Sequence, residues 1–236
     1  MSESRICIAL DFQTKAEVEN FLDQFENEKL YVKVGMELFY GEGIEMIKAI
    51  KKRGHQIFLD LKLHDIPNTV KSAMKQLAKL DVDMVNVHAS GSIAMMKAAI
   101  EGLNEGAVNG KRPLCIAVTC LTSLDQEVLD NELLIHEALD DVVLKWAQNA
   151  KAAGLDGVVC SPLESKNIHE QLGDDFLTVT PGIRLASDSV NDQKRVTTPA
   201  MAKEMTSSYI VVGRTITRAE NPVETYHEVY RQFQGE

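Results

Sequence analysis

Residues 56–80, QIFLDLKLHDIPNTVKSAMKQLAKL, pass from an apolar run of strand character, through a proline, into a stretch with apolar residues at helical spacing. Residues 56–61 are bulky and apolar up to Asp60, Pro67 breaks the extended geometry and suits the first turn of a helix, and residues 69–80 read as that helix. This is one βα unit. Outward from it, seven further runs have the same character: residues 5–10, 31–34, 84–87, 114–118, 157–160, 176–179 and 209–212. Helical patterns lie between them at residues 15–26, 43–52, 93–104, 135–153 and 222–233. Arg53-Gly54, Glu105-Gly106 and Ala153-Gly154 place glycine where a helix end favours a left-handed residue. Eight strands alternating with helices predict an α/β fold, a single (β/α)8 TIM barrel spanning residues 1–236 as one catalytic domain.

A doubly wound open sheet also accommodates eight strands, but its glycine-rich dinucleotide fingerprint is missing. Gly41 and Gly43 are followed by Met46 where the third glycine belongs, and there is no Walker A pattern. In a parallel barrel all carboxyl ends meet at one rim. Each run here ends in polar or small residues: Asp11, Lys33 with Gly35, Asp60 with Lys62, His88, Thr119, Ser161, Thr180 and Arg214. They therefore converge on one face.

Composition excludes several function classes. With 44% hydrophobic and 25% charged residues the chain is an ordinary globular one, and its net charge of −10 opposes non-specific binding to nucleic acid or anionic membranes. The first residues lack a signal-peptide pattern and no apolar run is long enough to span a bilayer, so a cytoplasmic location is expected. Cys7, Cys115, Cys120 and Cys160 sit in apolar runs without CxxC spacing and read as reduced core thiols, although Cys120 follows a strand end. The six histidines form neither HxH nor HExxH, and no GxSxG elbow occurs.

The chemistry concentrates in Asp60-Leu61-Lys62-Leu63-His64-Asp65. Strand alternation sends Asp60 and Lys62 to one face and Leu59 and Leu61 to the other. On the preceding strand Lys33 lies between Val32 and Val34, so its ammonium points inward if the valines face the helices. An inward charge needs a partner, and Asp60 and Asp11 are the candidates. Thr69 reads equally as a helix cap or a ligand contact. After residues 178–184, a polar stretch through Asp192-Gln193-Lys194-Arg195 is long for a connection and suggests a lid. Gly213-Arg214 ends the last strand, where barrels commonly bind phosphate.

These residues closely resemble the orotidine 5′-phosphate decarboxylase family over nearly the whole chain. The resemblance rests on Ala9-Leu10-Asp11, Val32-Lys33-Val34-Gly35, the DxKxxDxPxT segment from Asp60 to Thr69, Leu121-Thr122-Ser123, Thr180-Pro181-Gly182-Ile183-Arg184, Asn191-Asp192-Gln193 and Val212-Gly213-Arg214. It implies decarboxylation of orotidine 5′-phosphate to UMP in pyrimidine biosynthesis, with no cofactor or metal. It further implies a homodimer in which Lys33, Asp60 and Lys62 join Asp65 of the partner subunit, with Lys62 as proton donor. Asp11, Lys33 and, across the interface, Thr69 would hold the ribose and Thr122 the pyrimidine. Gln193, Gly213 and Arg214, with Arg184 nearby, would hold the phosphate, and Pro181 would also contact the substrate. Metal-dependent barrels sharing DxKxxD offer a carboxylate for Mg²⁺ where this sequence has Lys33. A catalytically silent nucleotide-binding barrel is the remaining alternative.

Overall fold

In a computed structural model of the chain, which describes residues 5–186 and 197–235, the eight runs become eight parallel strands in sequential order around a closed barrel. They are β1 (Ile6–Ala9), β2 (Tyr31–Gly35), β3 (Gln56–Leu63), β4 (Met84–His88), β5 (Leu114–Val118), β6 (Gly157–Val159), β7 (Leu177–Thr180) and β8 (Tyr209–Val212). Around them lie α1 (Lys15–Asp23), α2 (Met36–Lys52), α3 (Pro67–Ala78), α4 (Ser92–Gly106), α5 (Gln126–Asn131), α6 (Leu139–Ala152), α7 (Pro162–Leu172), α8 (Pro199–Glu204), α9 (Arg214–Thr217) and α10 (Pro222–Gln234).

Alternation along the strands divides the core in two. Cys7, Tyr31, Phe58, Met84, Ile116 and Val179 point into the barrel and fill it. Their neighbours Ile8, Val32, Leu59, Val85, Ala117 and Val158 point outward and pack beneath the helices. At the amino ends, acidic side chains pin neighbouring strands. Asp83 accepts the Ile57 N–H at 2.7 Å and pairs with Lys51, and Asp156 accepts the Cys115 N–H at 2.7 Å while pairing with Arg112.

Several local expectations change, among them the helix expected at residues 135–153, which begins at Leu139. The helix expected at residues 43–52 begins at Met36, because two helical segments join across a kink at Gly43, whose φ is 67°. α7 carries a Ser161/Glu164 capping box, yet its buried face holds Glu164, Ser165 and His169, so apolar periodicity did not announce it. Gly54 and Gly154 are left-handed as expected, with φ of 81° and 86°.

Gly106 instead remains inside α4, where it and Gly102 let α3 approach closely. A Cβ on Gly102 would lie 2.1 Å from the Lys71 carbonyl oxygen, and one on Gly106 would lie 2.2 Å from that of Lys75. Lys71 and Lys75 then reach across to Glu101 and Glu105. Backbone cannot yield as a flexible side chain can. Gly102→Ala is therefore expected to lower stability by roughly 1–3 kcal/mol, read as an earlier midpoint in urea unfolding; an unchanged midpoint would show that the helices separate freely.

Candidate active site

The carboxyl ends of β1 to β3 gather Asp11, Lys33, Asp60 and Lys62 into one row of alternating charge. Lys33 Nζ lies 3.3 Å from Asp11 Oδ1 and 3.4 Å from Asp60 Oδ2, and Lys62 Nζ lies 2.7 Å from Asp60 Oδ1. Val32 and Val34 are fully buried on the opposite side of β2, as an inward Lys33 requires.

Asp60 is only 7% exposed. Burial opposes its charge, but Lys33, Lys62 and hydrogen bonds from Lys62 and Asn86 outweigh that and hold its carboxyl below the usual range. For Lys33, burial likewise opposes the ammonium, while Asp60 and then Asp11 raise its pKa above the ordinary lysine value. Both groups stay ionised at neutral pH. Because the Asp60 pKa is depressed on folding, its contribution to stability is present above the unfolded value of 3.8 and is lost as pH falls through the folded one. His88, at the end of β4, is held below its ordinary pKa by burial and then by His64 and Lys62, so it adds no positive charge.

Lys62 reaches the row by a different route from simple alternation. Its φ is 51°, in the left-handed region that lysine rarely occupies, and the β3–β4 register shifts between Leu59 and Leu63. The residue that accommodates this is Asn86, which the sequence reading passed over. It donates its amide to Asp60 Oδ1 at 2.7 Å and accepts the Lys62 backbone N–H at 2.8 Å. The signal was present, since Asn86 lies between Val85 and Val87 just as Lys33 lies between its valines.

Two cavities meet at Lys33. The larger, about 700 Å³, is a polar cleft lined by Asp11, Lys33, Pro181, Arg184, Gly213 and Arg214, and by Arg218, which was not anticipated. Gly213 follows β8 directly and caps α9, so Arg214 stands at the first position of that helix. The smaller cavity, about 150 Å³, has apolar walls that include Phe58, Val118 and Cys120, with Asp60, Lys62 and Thr122 among its polar groups. Lys33 and Pro181 border both. All four cysteines are buried and outside any disulfide, and Cys120 lines the small pocket as well.

Asp65 and Thr69 are not brought to this row within the chain. Both are exposed, Asp65 in the β3–α3 connection, where its Oδ1 accepts the Ile66 N–H at 2.6 Å, and Thr69 in the first turn of α3. Thr69 is no cap, since α3 starts at Pro67 without a side-chain cap. Gln193, with Asn191, Asp192 and most of the expected lid, lies outside the described residues.

A parallel barrel that sets alternating amines and carboxylates beside an arginine-lined cleft is equipped as an enzyme for a small anionic molecule. The chain belongs to the orotidine 5′-phosphate decarboxylase / HUMPS family, matched over residues 4–229. It is 62% identical to the orotidine 5′-phosphate decarboxylases of Bacillus cytotoxicus and Bacillus cereus over 236 residues, 100% of this chain and 99% of each relative. Among solved structures, the orotidine 5′-phosphate decarboxylase of Lactobacillus acidophilus has a TM-score of 0.85 at 46% identity, covering 97% of this chain and 98% of its own. An uncharacterized conserved protein from Geobacillus kaustophilus has a TM-score of 0.87 at 49% identity, covering 97% and 99% respectively. Among the described residues, no helix is long and apolar enough to cross a membrane.

Proposed function

We propose that the chain decarboxylates orotidine 5′-phosphate to UMP and CO2 without a cofactor, with Lys62 protonating C6. The observation that carries this reading is the Asp11–Lys33–Asp60–Lys62 row, with the Lys62 ammonium at a small apolar pocket and that of Lys33 where this pocket meets a cleft lined by Arg184 and Arg214. A pyrimidine suits the pocket beside Thr122, a ribose the junction at Lys33 and Asp11, and a phosphate the arginine-lined cleft. Full-length relatives at 62% identity that bear the name of this activity support the assignment.

Loss of CO2 leaves an electron pair in the plane of the ring, where the π system cannot delocalise it. Its stabilisation must be electrostatic. A fixed ammonium about 4 Å away contributes on the order of 4 kcal/mol at an effective dielectric near 20, or roughly a thousandfold in rate. That is too little alone, so binding of the remote phosphate is needed to exclude water and fix the geometry.

We place the working site in a homodimer, with Asp65 and Thr69 contributed across the interface. Their exposure supports this, as does the position of Ile66 between them, 67% exposed. A metal-dependent reading is disfavoured by Lys33, whose ammonium lies beside Asp60 where a divalent ion would have to compete with it. Purified protein incubated with orotidine 5′-phosphate in EDTA is expected to deplete the orotate absorbance. Absence of turnover, or an absolute Mg²⁺ requirement, would refute the assignment.

A further inference from the structure

Asn86 is 2% exposed, and its single amide serves two masters in the charged row. Its nitrogen donates to Asp60 Oδ1 at 2.7 Å, the same oxygen that Lys62 Nζ approaches at 2.7 Å. Its oxygen accepts the backbone N–H of Lys62 at 2.8 Å. That N–H lies in the interval between Leu59 and Leu63 where the β3–β4 register shifts, so a side chain takes the proton that a regular ladder would give to a backbone carbonyl. The same residue has a φ of 51°, a conformation that persists only where its surroundings impose it.

We propose that Asn86 is a positioning residue for this site: by bridging the Asp60 carboxylate and the left-handed Lys62 backbone, it fixes the direction in which the Lys62 ammonium points. The reaction affected rests on the decarboxylase reading, but the bridge itself stands on geometry alone. Few side chains meet both demands at this length. Aspartate is isosteric and keeps an acceptor for Lys62 N–H, but turns a donor toward Asp60 into a second carboxylate. Alanine removes both bonds. The other charged groups around Asp60 are Lys33 from β2, with Asp11 behind it on β1, and Lys62 on β3; His88 follows on β4.

The test compares Asn86→Ala and Asn86→Asp with the parent in kcat, KM, UMP affinity, folding and the ¹³C-carboxyl titration of Asp60. In Asn86→Ala, kcat is expected to fall by about 100-fold while UMP affinity changes less than threefold, because misdirection of a reacting group costs rate rather than ligand binding. The Asp60 titration is expected to move up by about one unit as it loses a hydrogen bond to its charged form. Asn86→Asp retains volume, and is expected to show a larger upward movement, since two adjacent carboxylates share a proton. This variant decides the matter if the alanine protein does not fold. A kcat within threefold of the parent in either folded variant, or a parallel loss of UMP affinity and kcat, would overturn the proposal. If the parent itself released no CO2 from orotidine 5′-phosphate, the functional assignment would fail separately, and an unmoved Asp60 titration in both variants would still sink the bridge.

Discussion

Replacing Lys62 by alanine is expected to lower the rate of CO2 release by about five orders of magnitude while leaving UMP binding measurable. Two losses combine. In the proposed mechanism the ammonium facing the developing carbanion contributes roughly a thousandfold, and a positioned proton donor typically a further hundredfold or more. The cleft with Arg184 and Arg214 is untouched, so the nucleotide retains its phosphate contacts. Single-turnover assays beside calorimetric UMP titration separate the two effects. Unchanged turnover would remove Lys62 from the proton-donor role, and complete loss of UMP binding would show that it anchors the ligand instead.

Asp60→Asn is expected to be damaging to a lesser degree, with kcat reduced by about a thousandfold. The carboxylate is the shared counter-charge of Lys33 at 3.4 Å and Lys62 at 2.7 Å, and it accepts the Asn86 amide. A neutral amide there leaves two mostly buried ammonium groups facing each other with only Asp11, 3.3 Å from Lys33, to compensate them, at a cost of about 3–5 kcal/mol for a broken buried pair. If Asp60 also opposes the substrate carboxylate in the ground state, the variant will bind orotidine 5′-phosphate more tightly than the parent does. Rate and substrate affinity measured together distinguish the roles: neither a loss of rate nor a gain in affinity would leave Asp60 with only a structural part.

The architecture was readable because barrel strands are short, apolar and closed by polar residues, and two of the eight, at residues 114–118 and 209–212, have the boundaries expected. Alternation placed Lys33 and Asp60 correctly. It placed Lys62 on the right side for an incomplete reason, since a left-handed backbone torsion has no sequence signature when the residue is lysine rather than glycine. Asn86 was missed although the same alternation rule points it inward, because a neutral amide announces no chemistry until its two partners are known. α7 escaped because it buries hydroxyl, carboxyl and imidazole groups in place of aliphatic ones. Arg218 enters the cleft through the short α9, which lies beyond the strand end that marked Arg214. In the proposed homodimer Asp65 acts across the interface, and within a single chain it is simply exposed.

The close seating of α3 on Gly102 and Gly106 makes residues 56–106 a contiguous quarter of the barrel with its own internal fit. That quarter holds Asp60, Lys62 and Asn86 and displays Asp65 and Thr69, while Arg184, Gly213 and Arg214 come from the last two strands. In the proposed function, reaction chemistry and anion capture thus fall on separate stretches of sequence. Recombination between related barrels can exchange one without cutting through the other, provided Lys33 on the adjoining strand is matched.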